Sequence, residues 1–172
     1  DHIPDVKKED GVHIGIAHGS LIGKIPVGES GEVDFAIDPK CIDEKGLDYL
    51  ALGHWHGYNT FEDAKNITKI VYSGTHEQTK YDERDAGNCV FVKISEKGAQ
   101  PTIEKIPTGI LSWGNYEIEI SEIDSMEEIK KRLEKIKDVD MVRLKLTGRL
   151  PINIKNDIDA LLEYQSTLHE NL

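Results

Sequence analysis

Short apolar runs alternate with polar, glycine-bearing loops through the first two-thirds of the chain. After a polar lead from Asp1 to Asp10, Val12-His13-Ile14-Gly15-Ile16-Ala17 is strand-like and stops at His18-Gly19-Ser20. It reads as a buried strand feeding a loop. A mixed, glycine-bearing segment follows through about Val33. Asp38-Pro39 then opens a short helix through Glu44 and Lys45, with Asp38 as N-cap, Pro39 at the first helical position and Gly46 as the stop. Leu47 to Leu52 is a second buried strand, and it too runs straight into histidines, at Gly53-His54-Trp55-His56-Gly57. Ile67 to Ser73 and Cys89 to Ile94 flank a polar loop containing Lys80, Arg84 and Gly87, which predicts a long hairpin. Cys89-Val90-Phe91-Val92 is apolar on both faces and predicts an interior strand, and Thr102 to Ile106 adds another.

The texture changes at the turn cluster Pro107-Thr108-Gly109. Beyond it, Tyr116 to Ile120 is a strand, and Met126, Ile129, Leu133 and Ile136 recur at helical spacing as a packing stripe. Glu127/Lys131 and Glu128/Arg132 are outward pairs on that helix, and Asp124 or Ser125 can cap it. Met141 to Leu146 alternates as a strand, Gly148 to Pro151 breaks it, and a last helix is expected from about Asn156 to His169. This β-α-β-α pattern places a domain boundary near residue 110, dividing the chain into 1–110 and 111–172. The fold class is α/β, without internal repeats or low-complexity tracts.

Composition narrows the setting. The chain has 172 residues, enough for one ordinary domain or for part of a domain plus a small appendage. Hydrophobic residues are 38% and charged residues 31%. No apolar run approaches the roughly 20 residues of a membrane span, so a soluble protein without a membrane partner is expected. No secretory signal is visible at the start. Cys41 and Cys89 form no Cys-x-x-Cys pair and read as buried, reduced thiols of a cytoplasmic protein. A formal net charge of −11 argues against nucleic-acid binding through a generalised basic surface. It leaves room for a nuclease whose metal cations hold the phosphodiester locally.

The two histidine-bearing loops carry the candidate chemistry. Each follows a buried strand and lies beside glycine, at the strand end where α/β folds place their sites. In Gly53-His54-Trp55-His56 the i,i+2 spacing of an extended backbone can direct both imidazoles to one side, and His18 supplies a third. Converging neutral imidazoles suit zinc, manganese or iron better than magnesium or calcium. The other histidines weigh less: His13 reads as structural, His76 as a loop histidine within reach of substrate, and the terminal His2 and His169 as without function. Lys80 and Arg84 are either phosphate contacts or solvated loop charges. Trp55 either stacks on a base or fills the core beside the histidines.

The arrangement of His18 followed by Gly53-His54-Trp55-His56 resembles the back half of the calcineurin-like metallophosphoesterases. Val71-Tyr72-Ser73-Gly74-Thr75-His76-Glu77 resembles the stretch that follows Gly-His-x-His in the SbcD-type DNA repair nucleases, and Asn88 to Ile94 resembles the strand after it. The likeness covers residues 12 to 94 well, while 110 to 172 only loosely resemble the capping domain of those nucleases. The resemblance implies the C-terminal half of a metallophosphoesterase α/β sandwich followed by a small α/β capping domain. It implies two divalent metal ions, manganese first with iron or zinc as alternatives. His18 and His54 would ligate one ion and His56 the other. The implied partners are DNA and an SMC-like ABC ATPase subunit, and a homodimer is compatible with the family. The Asp-x-His, Gly-Asp-x-x-Asp and Gly-Asn-His motifs that supply the remaining ligands and the catalytic histidine do not occur here, so this chain is expected to be inactive alone.

Two other readings compete. One is a phosphoesterase acting on nucleotides or phosphoproteins, and the other is a non-catalytic binding module that retains the histidine loops. A metallo-β-lactamase-type hydrolase is disfavoured, because Gly57-Tyr58 follows His56 where that class needs Asp-His.

Overall fold

The computed structural model describes residues 11–24, 35–149, 155–160 and 163, and the fold is α/β. The chain divides into two compact units, Asp1–Ile110 and Leu111–Leu172.

The first unit contains, in order, β1 (Ile14–His18), β2 (Ser20–Leu21), β3 (Ala36–Ile37), α1 (Cys41–Glu44), β4 (Tyr49–Gly53), β5 (Asn59–Glu62), β6 (Thr68–Tyr72), β7 (Asn88–Lys93) and β8 (Thr102–Pro107). Four strands form one sheet in the order β1-β4-β6-β5, with β1, β4 and β6 parallel and β5 antiparallel to β6. β2 pairs with β3 in parallel, and β7 pairs with β8 as an antiparallel ladder. Leu50 and Leu52 of the central β4 pack with Ile70 and Tyr72 of β6 against Leu21, Ile37, Cys41, Ile42 and Leu47, forming one buried cluster. β4 lies between two parallel neighbours, so its apolar run is continuous rather than alternating.

Helix α1 is shorter than the sequence suggests. The Asp38 carboxylate does accept the Lys40 N–H, at 2.9 Å, but Cys41 N–H bonds back to Asp38 O at 3.0 Å, so the chain enters the helix through a tight turn. Gly46, at φ +67°, supplies the left-handed stop, with Leu47 N–H closing onto Ile42 O at 2.9 Å.

Three expectations about the strands are corrected. β1 is not buried: it is the terminal strand of its sheet, and Ile14 and Ile16 are 58% and 85% exposed. Alternation turns Gly15 and Ala17 towards the core side and Ile14, Ile16 and His18 to the other. The long hairpin does not form, because β6 pairs with β4 and β5 whereas β7 pairs with β8. The hairpin partner of β6 is β5, joined by a turn in which Asp63 N–H bonds Ile67 O at 2.9 Å and Asn66 sits at φ +59°. β7 is not interior, since among the described residues it pairs with β8 alone, Phe91 is exposed and Cys89 is half-buried. Cys41 is buried as expected, and both thiols are free.

The second unit is β9 (Trp113–Ile120), α2 (Met126–Leu133) and β10 (Met141–Gly148), with β9 and β10 parallel in register over eight pairs. Residues 155–160 and 163 are helical, and the rest of the helix expected to His169 lies outside the described residues. Ile120, Ile129 and Ile158 form the core, with Ile118, Met126, Leu133 and Leu146 against it. The stripe ends sooner than its periodicity suggests, since α2 stops at Leu133 and Ile136 lies beyond it. Glu127 pairs with Lys131 at 2.9 Å as expected. The expected Glu128–Arg132 pair is replaced: Glu128 completes a capping box with Ser125, and Arg132 binds Asp124 at 2.8 Å and the Glu119 carbonyl at 2.7 Å. Local backbone donors compete successfully for the Glu128 carboxylate. Among the described residues no helix is long and apolar enough to cross a membrane.

Candidate metal centre

The parallel register of β1 on β4 matches His18 with Gly53, so the two histidine loops leave neighbouring strands at the same end. The ladder continues one step beyond, with Gly19 N–H bonding Gly53 O at 3.2 Å. Gly53 leaves space for the His18 ring, since a Cβ there would lie 2.9 Å from His18 Nδ1. The His18 and His54 rings meet edge to face, with centroids 5.3 Å apart and planes at 76°. His54 holds this position from φ +101°, a backbone conformation that costs a residue with a Cβ about 1–3 kcal/mol and that clusters at functional sites.

His56 is fixed differently. Its Nδ1 bonds the Glu83 carboxylate, whose side chain is only 8% exposed against 43% for His56. The same carboxylate accepts the Thr79 hydroxyl at 2.7 Å, the Thr79 N–H at 2.6 Å and the Lys80 N–H at 3.1 Å. Burial pushes the Glu83 carboxyl up, but the hydrogen bonds from Thr79, His56 and Lys80 outweigh it and hold the group at about 2. The backbone of the His56 loop is tied down as well: Thr75 N–H bonds His56 O, and Tyr58 N–H bonds Asp85 O, both at 2.9 Å. Gly74, at φ +78°, passes so close that a Cβ would lie 2.5 Å from His56 O.

These groups line an open cavity of about 990 Å³ that collects His18, His54, Trp55, His56, Lys80 and Arg84. Trp55 is 36% exposed and faces this space, so it does not fill the core. Lys80 and Arg84 share the cavity with the histidines, as a phosphate-binding role requires. His76 does not: it is exposed and outside the lining, and its carbonyl is engaged by the Thr108 hydroxyl at 2.6 Å. The left-handed turn at Gly74 and the pairing of Thr75 with His56 carry the chain past the cavity before His76 is reached.

Among the described residues no group of three or more His, Cys, Asp or Glu side chains is close enough to hold a metal ion. The expected convergence of three imidazoles is therefore met by two, His18 and His54, while His56 is drawn to Glu83. The imidazoles present are nevertheless of the kind that ligates a divalent ion. His18 and His54 are adjacent imidazoles at the rim of one cavity. His56 Nδ1 shares a hydrogen bond with the Glu83 carboxylate, and a ring that carries its proton on Nδ1 keeps the Nε2 lone pair for a cation. Glu83 escaped the sequence reading, in which its loop was weighed only for the cations Lys80 and Arg84. A glutamate flanked by Lys80 and Arg84 in a loop after Gly-His-x-His is the signal that could have found it. No protein-family model matches the chain, and no curated protein matches it.

Proposed function

We propose that this chain supplies the histidine side of a two-metal phosphoesterase site, as the C-terminal half of a metallophosphoesterase α/β sandwich followed by a small α/β capping domain. The observation that carries the proposal is the edge-to-face pair of His18 and His54 at the ends of adjacent parallel strands, above a cavity that also holds two basic side chains. His18 and His54 would hold one divalent ion and His56, through Nε2, the other. Manganese is the first candidate, with iron or zinc as alternatives. When bound, the ions supply a hydroxide nucleophile and a clamp on the phosphate. Lys80 and Arg84 neutralise and orient the phosphodiester, and Trp55 offers a flat face to a base.

The carboxylate ligands and the proton donor to the leaving oxygen are proposed to come from sequence outside these 172 residues. The exposed Ile14 and Ile16 support that division: they share the outer face of β1 with His18, an apolar strip beside the site that a second sheet of a sandwich would cover. The complete enzyme is proposed to be a cytoplasmic DNA nuclease of SbcD type working with an SMC-like ABC ATPase. Two free thiols accord with a reducing compartment.

The test offers the full-length protein linear duplex DNA and a simple phosphodiester in Mn²⁺, with metal content measured in parallel. Cleavage that disappears with bound metal in His18→Ala and His54→Ala is the expected result. If His54→Ala alters neither metal content nor cleavage, the enzyme reading is wrong and the binding-module reading replaces it.

A further inference from the structure

We propose that Glu83 is a positioning residue that sets the tautomer of His56, keeping its proton on Nδ1 so that Nε2 faces the cavity as a free donor. The inference rests on the two-metal reading and deepens it, because an imidazole binds a cation only through a nitrogen that carries no proton.

The argument starts from the donors around the carboxylate. Two backbone N–H groups, those of Thr79 and Lys80, point at Glu83 Oε2, at 2.6 and 3.1 Å. A backbone N–H can only donate, so the atom at Oε2 must be an acceptor. The other oxygen, Oε1, takes the Thr79 hydroxyl at 2.7 Å and faces His56 Nδ1. A carboxylate has no proton to give, so the proton in this contact belongs to the imidazole. The loop that holds Glu83 is itself pinned, since Glu83 N–H bonds Lys80 O at 3.4 Å and Asp85 O accepts Tyr58 N–H. The His56 ring is thus oriented by an acceptor that is nearly buried and fixed by three donors besides the histidine, whereas the His56 side chain is 43% exposed and His56 lines the cavity.

This geometry makes the isosteric variant Glu83→Gln informative. The two backbone donors require the amide oxygen on their side, which leaves the NH₂ group facing His56 Nδ1. The Thr79 hydroxyl can rotate to accept, so the loop keeps its shape. An NH₂ facing Nδ1 forces that nitrogen to accept, and the ring proton moves to Nε2. Size and packing stay the same while the cavity-facing nitrogen loses its lone pair.

The measurement is ¹⁵N NMR of the histidine ring nitrogens in the full-length protein, followed by calorimetric titration with Zn²⁺. The wild-type protein is expected to show His56 as the Nδ1–H tautomer and Glu83→Gln to show it as Nε2–H, both recorded well below the melting temperature of the less stable of the two. Zn²⁺ affinity should fall by about 10- to 100-fold in the variant, the usual cost of losing an outer-shell partner of a ligating histidine. Glu83→Asp, which restores an acceptor to Nδ1, should recover part of that loss. A wild-type Nε2–H tautomer, or a tautomer that does not change in Glu83→Gln, overturns the role of Glu83 whatever the metal result. A tautomer that does change, in a full-length wild-type protein that binds no Zn²⁺, upholds the Glu83–His56 coupling and sinks the two-metal reading instead.

Discussion

The hydroxyl of Tyr72 donates to the carbonyl of Gly19 at 2.6 Å, and it also accepts the Leu21 N–H at 3.1 Å. Tyr72 is completely buried at the end of β6, with its ring edge-on to Phe61, so this one oxygen ties the third parallel strand to the loop that follows His18. Tyr72→Phe leaves a buried carbonyl and a buried N–H unpaired, and unit 1 should lose about 1–3 kcal/mol in urea unfolding. Zn²⁺ affinity should fall as well, because the backbone next to His18 is no longer held. An unfolding curve that overlays the wild type would refute the assignment.

His54 occupies a conformation suited to glycine, at φ +101°. His54→Gly should therefore raise the stability of unit 1 by about 1 kcal/mol while weakening Zn²⁺ binding. Stability and binding moving in opposite directions is the signature of strain held for a purpose. Thermal melting in the absence of metal checks the first half, and a lower melting temperature in the variant would count against strain at this residue.

Asp63 shapes the turn between β5 and β6. Its carboxylate accepts the Lys65 and Ile67 N–H groups at 2.8 and 2.9 Å and pairs with Lys69 at 3.0 Å. Burial pushes this carboxyl up, but the Ile67 N–H, the Lys69 ammonium and the Lys65 N–H prevail and hold it below its ordinary 3.8. A depressed carboxyl stabilises the fold fully above its unfolded value and loses that contribution as pH falls through the folded value. Asp63→Asn should cost about 2 kcal/mol at pH 7, with the gap between variant and wild type narrowing once the pH drops below about 4. Denaturant titrations at the two pH values decide it: a gap that widens in acid would contradict the assignment.

In the second unit, Ser125 accepts the Glu128 N–H at 3.3 Å and Glu128 accepts the Ser125 N–H at 2.8 Å, which closes both ends of the capping box on α2. Ser125→Ala should destabilise this unit by about 1 kcal/mol and leave Zn²⁺ binding untouched. Circular dichroism melting reads the first effect and calorimetry the second. A loss of Zn²⁺ affinity in this variant would show that the units are coupled.

What was legible in the sequence was whatever local pattern determines. The runs ending at Ala17, Leu52, Ser73 and Ile94 correspond to β1, β4, β6 and β7 because continuous apolar stretches bounded by glycine and polar residues have few alternatives. The partners of those strands were not legible. β5 was missed because Asn59-Thr60-Phe61-Glu62 shows one apolar residue in four, and without β5 the run at β6 was joined to β7. The exposure of Ile14 and Ile16 was hidden for a related reason, since an apolar run does not say whether anything covers both of its faces. At the site, the strand ends could place His18 near the Gly53–His56 loop, but the turn of His56 towards Glu83 depends on a loop 27 residues away. A single glutamate in a polar loop carries no periodicity, and its importance comes from three donors that only folding brings together.

The two cysteines give the first unit an internal clock. Cys41 is 1% exposed within the main apolar cluster, and burial raises its thiol above the ordinary value, so a thiol-specific reagent reaches it only when that cluster opens. Cys89 stands half-buried on the two-stranded β7–β8 ladder and should react earlier, through local opening of that ladder. The interval between the first and second labelling events, followed by mass spectrometry, would then measure how far the ladder can come apart while the sheet that carries His18 and His54 stays closed.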